Sequence, residues 1–475
     1  MESCRHGEPA ERATQLRFSH GCPDSSASQY GQKPNRIVWP NTQWIHRMHM
    51  TRRSAIHRTA ALGLGTAVST LVSAQAQPAV GNGDRRLRVA VVALGRGMEH
   101  VNTILSLPDV DIAYLAEVDP QRLAIGMKTV AAKQDAACKG VVDFRTCLDD
   151  TSLDAVFIAT PNFWHTPAAV LAMKAGKHVY VEKPGSQNPH EAELIVAAAR
   201  RHNRLVQMGN QRRTWMREAI EALHAGPIGE VRFARGFYYN GRPTVPRAPT
   251  ATDAAFNLDL WQGPVADEPN RDIRRFIHYD WHWLWHWGNG ELGNNGVHVL
   301  DVMRWGLKTT YPTRISYTGG RYWHRDKQET PDTGTAVYDF GTTGMEWVQS
   351  SCMPRSAEKP LGECVFYGDG GTFAINGSAW TVYDPKGVQI GEGKGPGRKD
   401  AAHIGNFLEA IRGNAGLNSP IDEAQVSTML CHLGNIAYRT GTVVQCNPET
   451  GRLIDNPAGE KLWKRPYRPG WEPTL

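Results

Sequence analysis

From Leu87 onward the apolar positions come in two alternating rhythms: short continuous runs rich in β-branched residues, and longer stretches repeating at a helical spacing. Residues 87–94 form the first run, and 112–116, 153–160, 178–181 and 205–208 repeat it. Helical patterns lie between them, one from the glycine turn at 95–97 to residue 107, others over 167–175 and 189–202. A short apolar run bounded by turns reads as a strand buried on both faces. Strands alternating with helices read as a parallel sheet with right-handed crossovers.

After residue 208 the rhythm changes. A helix is predicted over 215–225 and a strand over 231–239; further strands fall at 313–321, 335–340, 345–350, 363–367 and 371–375. Two closing helices are predicted over 403–412 and 423–438, and the Pro- and Gly-rich stretch from 447 reads as a tail wrapping the surface. In between, residues 276–287 alternate four tryptophans with three histidines. Three readings stand: histidines gathered as metal ligands, an aromatic strand in the core, or a carbohydrate pocket. In the pocket reading, Trp281 and Trp285 stack on sugar rings while His282 and His286 bond hydroxyls. With no carboxylate or cysteine at matching spacing, no metal is assigned, and the pocket is carried forward. Arg271, Arg274 and Arg275 just before it read as a solvated charged loop.

The first 50 residues lack this periodicity and read as a leader or as a start called too early, with Met48 or Met50 the true one. Residues 51–56, Thr-Arg-Arg-Ser-Ala-Ile, form a twin-arginine box; an apolar stretch over 60–72 and Ala74-Gln75-Ala76, an A-x-A cleavage site, follow. That stretch is shorter than the ~20 residues a membrane span needs. Export by the twin-arginine pathway to the periplasm is therefore expected, with 51–76 removed and no membrane segment in the mature form. At 475 residues the chain exceeds one core's worth, and 41% apolar with 21% charged residues describes a globular protein. The net charge of +6 is small, and much of the basic excess lies in the early segments, so no nucleic-acid partner is indicated. Eight cysteines show no C-x-x-C spacing, which suggests neither a zinc site nor a redox pair.

The turn Gly95-Arg96-Gly97 leaves a strand and opens a helix, so its backbone N–H groups can receive a pyrophosphate. Glu117 ends the second strand about 20 residues on, where a carboxylate would accept ribose hydroxyls; Asp119 competes for that role. An acid there favours NAD, and Arg122 nearby keeps NADP open. Thr160-Pro161-Asn162 with His165, and Glu182-Lys183-Pro184, stand at the next strand ends, where ligands bind in such sheets. A desolvated Lys183 has a depressed pKa and can donate to a carbinol oxygen or relay a proton.

A glycine turn, then Thr-Pro-Asn-x-x-His, then Glu-Lys-Pro resembles the Gfo/Idh/MocA family (glucose–fructose oxidoreductase, inositol dehydrogenase and relatives) over residues 87–441. The resemblance implies an α/β fold, with a Rossmann doubly wound parallel sheet at 85–208. It also implies an α+β domain at 209–446 with an open, mostly antiparallel sheet, followed by a tail at 447–475. It implies that Lys183 touches both the nicotinamide ribose and the substrate hydroxyl. Gly95, Arg96, Gly97, Glu117, Thr160, Pro161, Asn162, His165, Glu182 and Gln211 join it around the cofactor. The chain departs from the pattern at Ala93, which stands where the family has its first glycine, in a loop one residue shorter; alanine fits only if φ stays negative.

Residues 294–301, Asn-Asn-Gly-Val-His-Val-Leu-Asp, resemble the family's D-x-G-x-H-x-x-D signature, with Asn294 in place of the first aspartate. On a helix Asn294 and His298 share a face, and Asp301 can orient the imidazole from one turn on. Removing a hydroxyl proton during alcohol oxidation suits a near-neutral histidine, with lysine holding the oxyanion. The expectation is an NAD(P)-dependent oxidoreductase acting on a sugar, polyol or glycoside. Its rivals are an NAD-dependent glycosidase using transient ring-hydroxyl oxidation and a non-catalytic sugar- or cofactor-binding relative. The resemblance further implies a dimer or tetramer.

Overall fold

The computed structural model describes residues 85–246, 255–268 and 271–475; the readings for 1–50 and 51–76 lie outside the described residues. Six parallel strands, β1 (Leu87–Val92), β2 (Val110–Ala116), β3 (Lys139–Val141), β4 (Ala155–Ile158), β5 (His178–Val181) and β6 (Val206–Met208), form a sheet in the order β3-β2-β1-β4-β5-β6. Strand order reverses between β1 and β4, which opens a crevice above their C-terminal ends. The continuous apolar runs are explained by burial on both faces: Val89 and Val91 enter one cluster with Ile104 and Phe157, while Ala90 and Val92 enter another with Ala168 and Ile195.

Helices α1 (Gly97–Ile104), α2 (Pro120–Ala131), α3 (His165–Lys174) and α4 (Pro189–Arg201) supply the crossovers. Pro120 and Pro189 sit in the first turns of α2 and α4, and the Asp119 and Asn188 side chains accept the free N–H groups there. The helix expected over 215–225 divides at Met216 into α5 (Arg212–Trp215) and α6 (Arg217–His224). Next come β7 (Val231–Tyr239), α7 (Leu258–Gln262) and α8 (Val297–Leu307).

The second sheet has ten strands: β7, β8 (Arg314–Gly320), β9 (Thr333–Asp339), β10 (Gly344–Ser350), β11 (Cys364–Gly368), β12 (Gly371–Asn376), β13 (Ala379–Tyr383), β14 (Gln389–Lys394), β15 (Val444–Cys446) and β16 (Leu453–Ile454). Their order is β14-β13-β12-β11-β7-β10-β9-β8-β15-β16, with every pair antiparallel except β7 with β10. Strands β13 and β14 escaped the apolar pattern because β14 is nearly all Gly and polar, and exposed.

Helices α9 (Asp400–Ile411), α10 (Ile421–Thr440) and α11 (Pro457–Glu460) complete the chain. Neither predicted closing helix stays with the second sheet alone. The face of α9 with Ile404, Phe407 and Ile411 packs on the first sheet beside Phe157 and Tyr180, and α10 touches α4 on one side and α8 and β8 on the other. The tail does more than wrap the surface. Trp463 is buried, and Arg465 and the Tyr467 hydroxyl both donate to the fully buried Glu191, at 2.9 and 2.8 Å. Among the described residues no helix is long and apolar enough to cross a membrane.

Candidate functional site

A groove of about 760 Å³ runs over the C-terminal ends of the first sheet. Each strand end contributes wall: Ala93 after β1, Glu117 after β2, Val142 after β3, Thr160 after β4, Lys183 after β5 and Gln211 after β6. Gly95, Arg96, Pro161, His165 and Glu182 line it from the same side, and Trp281, His282, Asn294 and His298 close it from the second domain. Two motif sets far apart in sequence therefore meet across one groove.

The turn departs from expectation. Ala93 adopts φ +66°, in the left-handed region, so the expected negative φ is corrected. A neighbouring contact pins the loop: the Glu117 carboxylate accepts the Leu94 N–H at 2.5 Å and the Asp119 N–H at 3.0 Å. Glu117 is thus committed partly to holding the turn, and burial raises its pKa against the pull of those N–H groups. The rival Asp119 is occupied as the cap of α2. Gly97 lies under the groove, where a Cβ would stand 3.2 Å from Val91 Cγ1; it lets α1 approach the sheet. Arg96 bridges Glu99, Glu182 (3.3 Å) and Asp400 (2.8 Å).

Glu182 is buried and accepts from His100 Nε2 at 2.8 Å. Despite its burial, His100, Arg96 and Lys183 hold its pKa well below the carboxylate range. His165 is also buried, its ring nitrogens 2.6 Å from the Pro184 carbonyl and 2.9 Å from that of Thr160, so it ties the two strand-end motifs together. Asn162 is turned out of the groove, and its amide donates to Asn289 Oδ1 at 2.5 Å. The expected cofactor contact through its side chain is corrected to an interdomain tie.

At the inner end Lys183 Nζ donates to the carbonyl and the Oδ1 of Asn294, both at 2.9 Å. The carbonyl is free for this because residues Leu292–Gly296 form a π-turn ahead of α8, not the regular helix expected. His298 donates Nδ1–H to Asn210 Oδ1 at 3.1 Å, which leaves Nε2 as an acceptor. Burial, reinforced by Lys183, pushes the imidazole pKa well below its usual value, and burial likewise lowers Lys183.

Asp301 does not orient His298. Both of its oxygens receive Arg213, Nε and Nη2 each at 2.7 Å, and Ser427 Oγ adds a third donor at 2.6 Å. A rigid guanidinium fork on α5 claims the carboxylate before the imidazole can. Trp285 and His286 are corrected as well. The segment forms a short 3₁₀ turn at Asp280–Trp283 and further bends, so its period is not two, and these residues face a different cavity. Its three histidines part company: His278 bonds Arg122 (2.8 Å), His282 enters the groove, and His286 bonds the Ala266 carbonyl (2.7 Å). Trp283 and Trp287 are core.

Sequence reasoning missed Tyr279, whose hydroxyl lies 3.4 Å from Asn294 Nδ2, and Arg212 and Arg398, which line the groove near His298. Tyr279 and Arg398 come from a turn and a loop, where no periodicity marks a facing side, and Arg212 opens α5, too short a helix to show one.

The profile of the Gfo/Idh/MocA oxidoreductase family, NAD-binding Rossmann fold, matches residues 87–210. This chain carries the NAD-binding domain of the Gfo/Idh/MocA oxidoreductases. A family 109 glycosyl hydrolase protein of Parabacteroides distasonis is 29% identical over 290 residues, 54% of this chain and 59% of that protein. The levoglucosan dehydrogenase of Pseudarthrobacter phenanthrenivorans is 26% identical over 43% of this chain and 47% of its own. The matches thus span about half the length of these curated relatives. Among solved structures, the WlbA dehydrogenase of Bordetella pertussis, in complex with NADH and UDP-GlcNAcA, superposes with a TM-score of 0.59 at 16% identity. That alignment covers 76% of this chain and 99% of that one. The aldose–aldose oxidoreductase of Caulobacter crescentus, complexed with glycerol, gives 0.59 at 17%, over 76% and 100%. These two likenesses establish the fold that the Gfo/Idh/MocA domain predicts.

The groove fits the dinucleotide that the family domain binds. Gly95 faces the groove without a side chain, and a Cβ there would lie 3.1 Å from Arg122 Nη1. The buried Thr160 hydroxyl at the rim has no protein partner among the described residues.

Proposed function

We propose that the protein is an NAD(P)-dependent oxidoreductase acting at a CH–OH group of a sugar, polyol or glycoside. The observation that carries this is the convergence of Lys183, Asn294 and His298 at the inner end of the groove, beyond the strand ends of an NAD-binding sheet. Gly95, Arg96, Glu117, Thr160, Pro161 and Gln211 would hold the dinucleotide, which supplies a two-electron acceptor when bound. The acids at 117 and 119 favour NAD, since Arg122 is already engaged by His278 and lies 3.7 Å from Asp119.

The protein's own part is proton handling and orientation. Lys183, held by Asn294, presents its remaining N–H to the carbinol oxygen and stabilises the negative charge that grows there. His298, neutral because its pKa is depressed, accepts the hydroxyl proton at Nε2. Asn294 cannot act as a base, so it orients a hydroxyl. Trp281 and His282, stacked 3.6 Å apart, give the wall a flat apolar face suited to a sugar ring.

The test is an NAD titration and a turnover screen over aldoses, polyols and glycosides, repeated with Lys183→Met. Turnover should fall by about 10²–10⁴-fold while NAD affinity stays within about threefold, since the other groove residues still hold the dinucleotide. Absence of NAD(P) binding, or turnover that Lys183→Met leaves unchanged, refutes the proposal; NAD binding with no turnover of any substrate would favour a non-catalytic binding protein.

The match to family 109 glycosyl hydrolases favours a second reading on the same residues: transient oxidation of a ring hydroxyl, loss of the aglycone, and re-reduction. Release of nitrophenol from a nitrophenyl glycoside with no net NADH would select it. Export is proposed on the twin-arginine box, and the double substitution Arg52→Lys with Arg53→Lys should retain the protein in the cytoplasm. A dimer or tetramer is proposed on the family resemblance, to be checked by sedimentation.

A further inference from the structure

A second cavity, of about 330 Å³, shares no wall residue with the groove and is bounded partly by the tail. That volume is at the lower end of the roughly 300–1,000 Å³ range of ligand pockets. Its polar floor is built from side chains more than nine-tenths buried: Gln187, His432 and Asn435 are 7%, 3% and 7% exposed. Each uses only part of its hydrogen-bonding capacity. Gln187 Oε1 accepts from Asn188, His432 Nε2 meets Ser186 Oγ, and Asn435 Nδ2 donates to the Asn289 carbonyl. Gln187 Nε2, His432 Nδ1, Asn435 Oδ1 and the buried Arg465 Nη1 have no protein partner among the described residues. Buried polar groups in folded proteins are otherwise satisfied, so donors and acceptors left over in one cavity mark a place for hydroxyl groups.

The charges around this cavity are unequal. Arg465 is paired with Glu191, Lys464 with Glu472, and Glu268 lies 3.5 Å from His286. Glu329 is taken by Arg271 and by the Trp285 N–H. Arg439 is exposed and has no carboxylate within ion-pair distance among the described residues; its guanidinium stands 5.1 Å over the Trp285 ring. Glu329 acts on Arg439 only through space, beyond ion-pair distance; a stacked guanidinium with no direct carboxylate partner is a receptor for a carboxylate or phosphate.

We propose that this cavity is a second binding site, for a sugar-sized molecule carrying one anionic group. Arg439 takes the anion, while Gln187, His432, Asn435 and Arg465 take the hydroxyls. The site stands apart from the chemistry at Lys183. It also gives Trp285 and His286, whose place in the first groove the fold denies, a share in carbohydrate recognition.

Calorimetric titration of the full-length protein with D-glucuronate, glucose 6-phosphate and D-glucose tests it. At least one anionic probe should bind with a Kd in the millimolar range or below, about tenfold or more tighter than glucose. The tighter of the two identifies the anion. Arg439→Gln should weaken that binding by about tenfold or more, as removal of one charge-assisted hydrogen bond does. Asn435→Asp, which sets a like charge in the floor, should do the same, and Lys183→Met should leave it unchanged. No saturable binding of either anion below about 10 mM, equal affinity for glucose, or binding insensitive to both cavity variants overturns the proposal. So does binding abolished by Lys183→Met, which would place the anion in the first groove.

Discussion

Replacing Asp301 by asparagine separates a role in catalysis from a role in holding the fold. The carboxylate is fully buried; it receives two hydrogen bonds of 2.7 Å from Arg213 and one of 2.6 Å from Ser427, with Arg304 at 4.0 Å. Arg213, itself only 11% exposed, has no other carboxylate within ion-pair distance among the described residues. Stripping one partner from a buried ion pair costs about 3–5 kcal/mol because the other charge stays buried. Asparagine keeps one acceptor oxygen, which restores about 1 kcal/mol, so Asp301→Asn should destabilise by about 2–4 kcal/mol. With an unfolding entropy of ~2.1 cal/mol/K per residue over ~390 folded residues, Tm should fall by about 2–5 °C. The assay pairs thermal and urea unfolding with kcat/KM measured well below the transition. Activity should remain within about threefold, because His298 is oriented by Asn210 and not by Asp301. A loss of activity beyond about 100-fold with stability unchanged would show that the carboxylate orients the base after all.

Two further outcomes follow from the site. Ala93→Gly removes the cost of a left-handed alanine, φ +66°, and should stabilise the protein by about 0.5–1 kcal/mol in urea unfolding; a less stable variant would contradict the turn geometry. The pH profile of oxidation should have its acid limb below pH 6.5, since a depressed His298 becomes a free base as pH rises through its lowered pKa. Its alkaline limb should begin below pH 10.5, where the depressed Lys183 loses the proton that holds the oxyanion. An acid limb above pH 7, or one that survives His298→Gln, would remove His298 from the base role.

The sequence by itself determined the cofactor half. Parallel strands buried on both faces leave continuous apolar runs, and the polar residues that interrupt them at 95–97, 117, 160 and 182–183 stand at the C-terminal ends. Period and position alone therefore mark the groove's inner wall. What lay beyond local periodicity was decided by contacts between distant segments. Nothing near Asp301 in sequence announces Arg213, and nothing near α9 announces the face of the first sheet it covers. The aromatic run at 276–287 held residues of the right kind, but irregular turns and not a strand distributed them between a groove, a core and a second cavity. A side chain's direction in such a segment depends on the backbone bends that tertiary packing imposes, and composition cannot supply them.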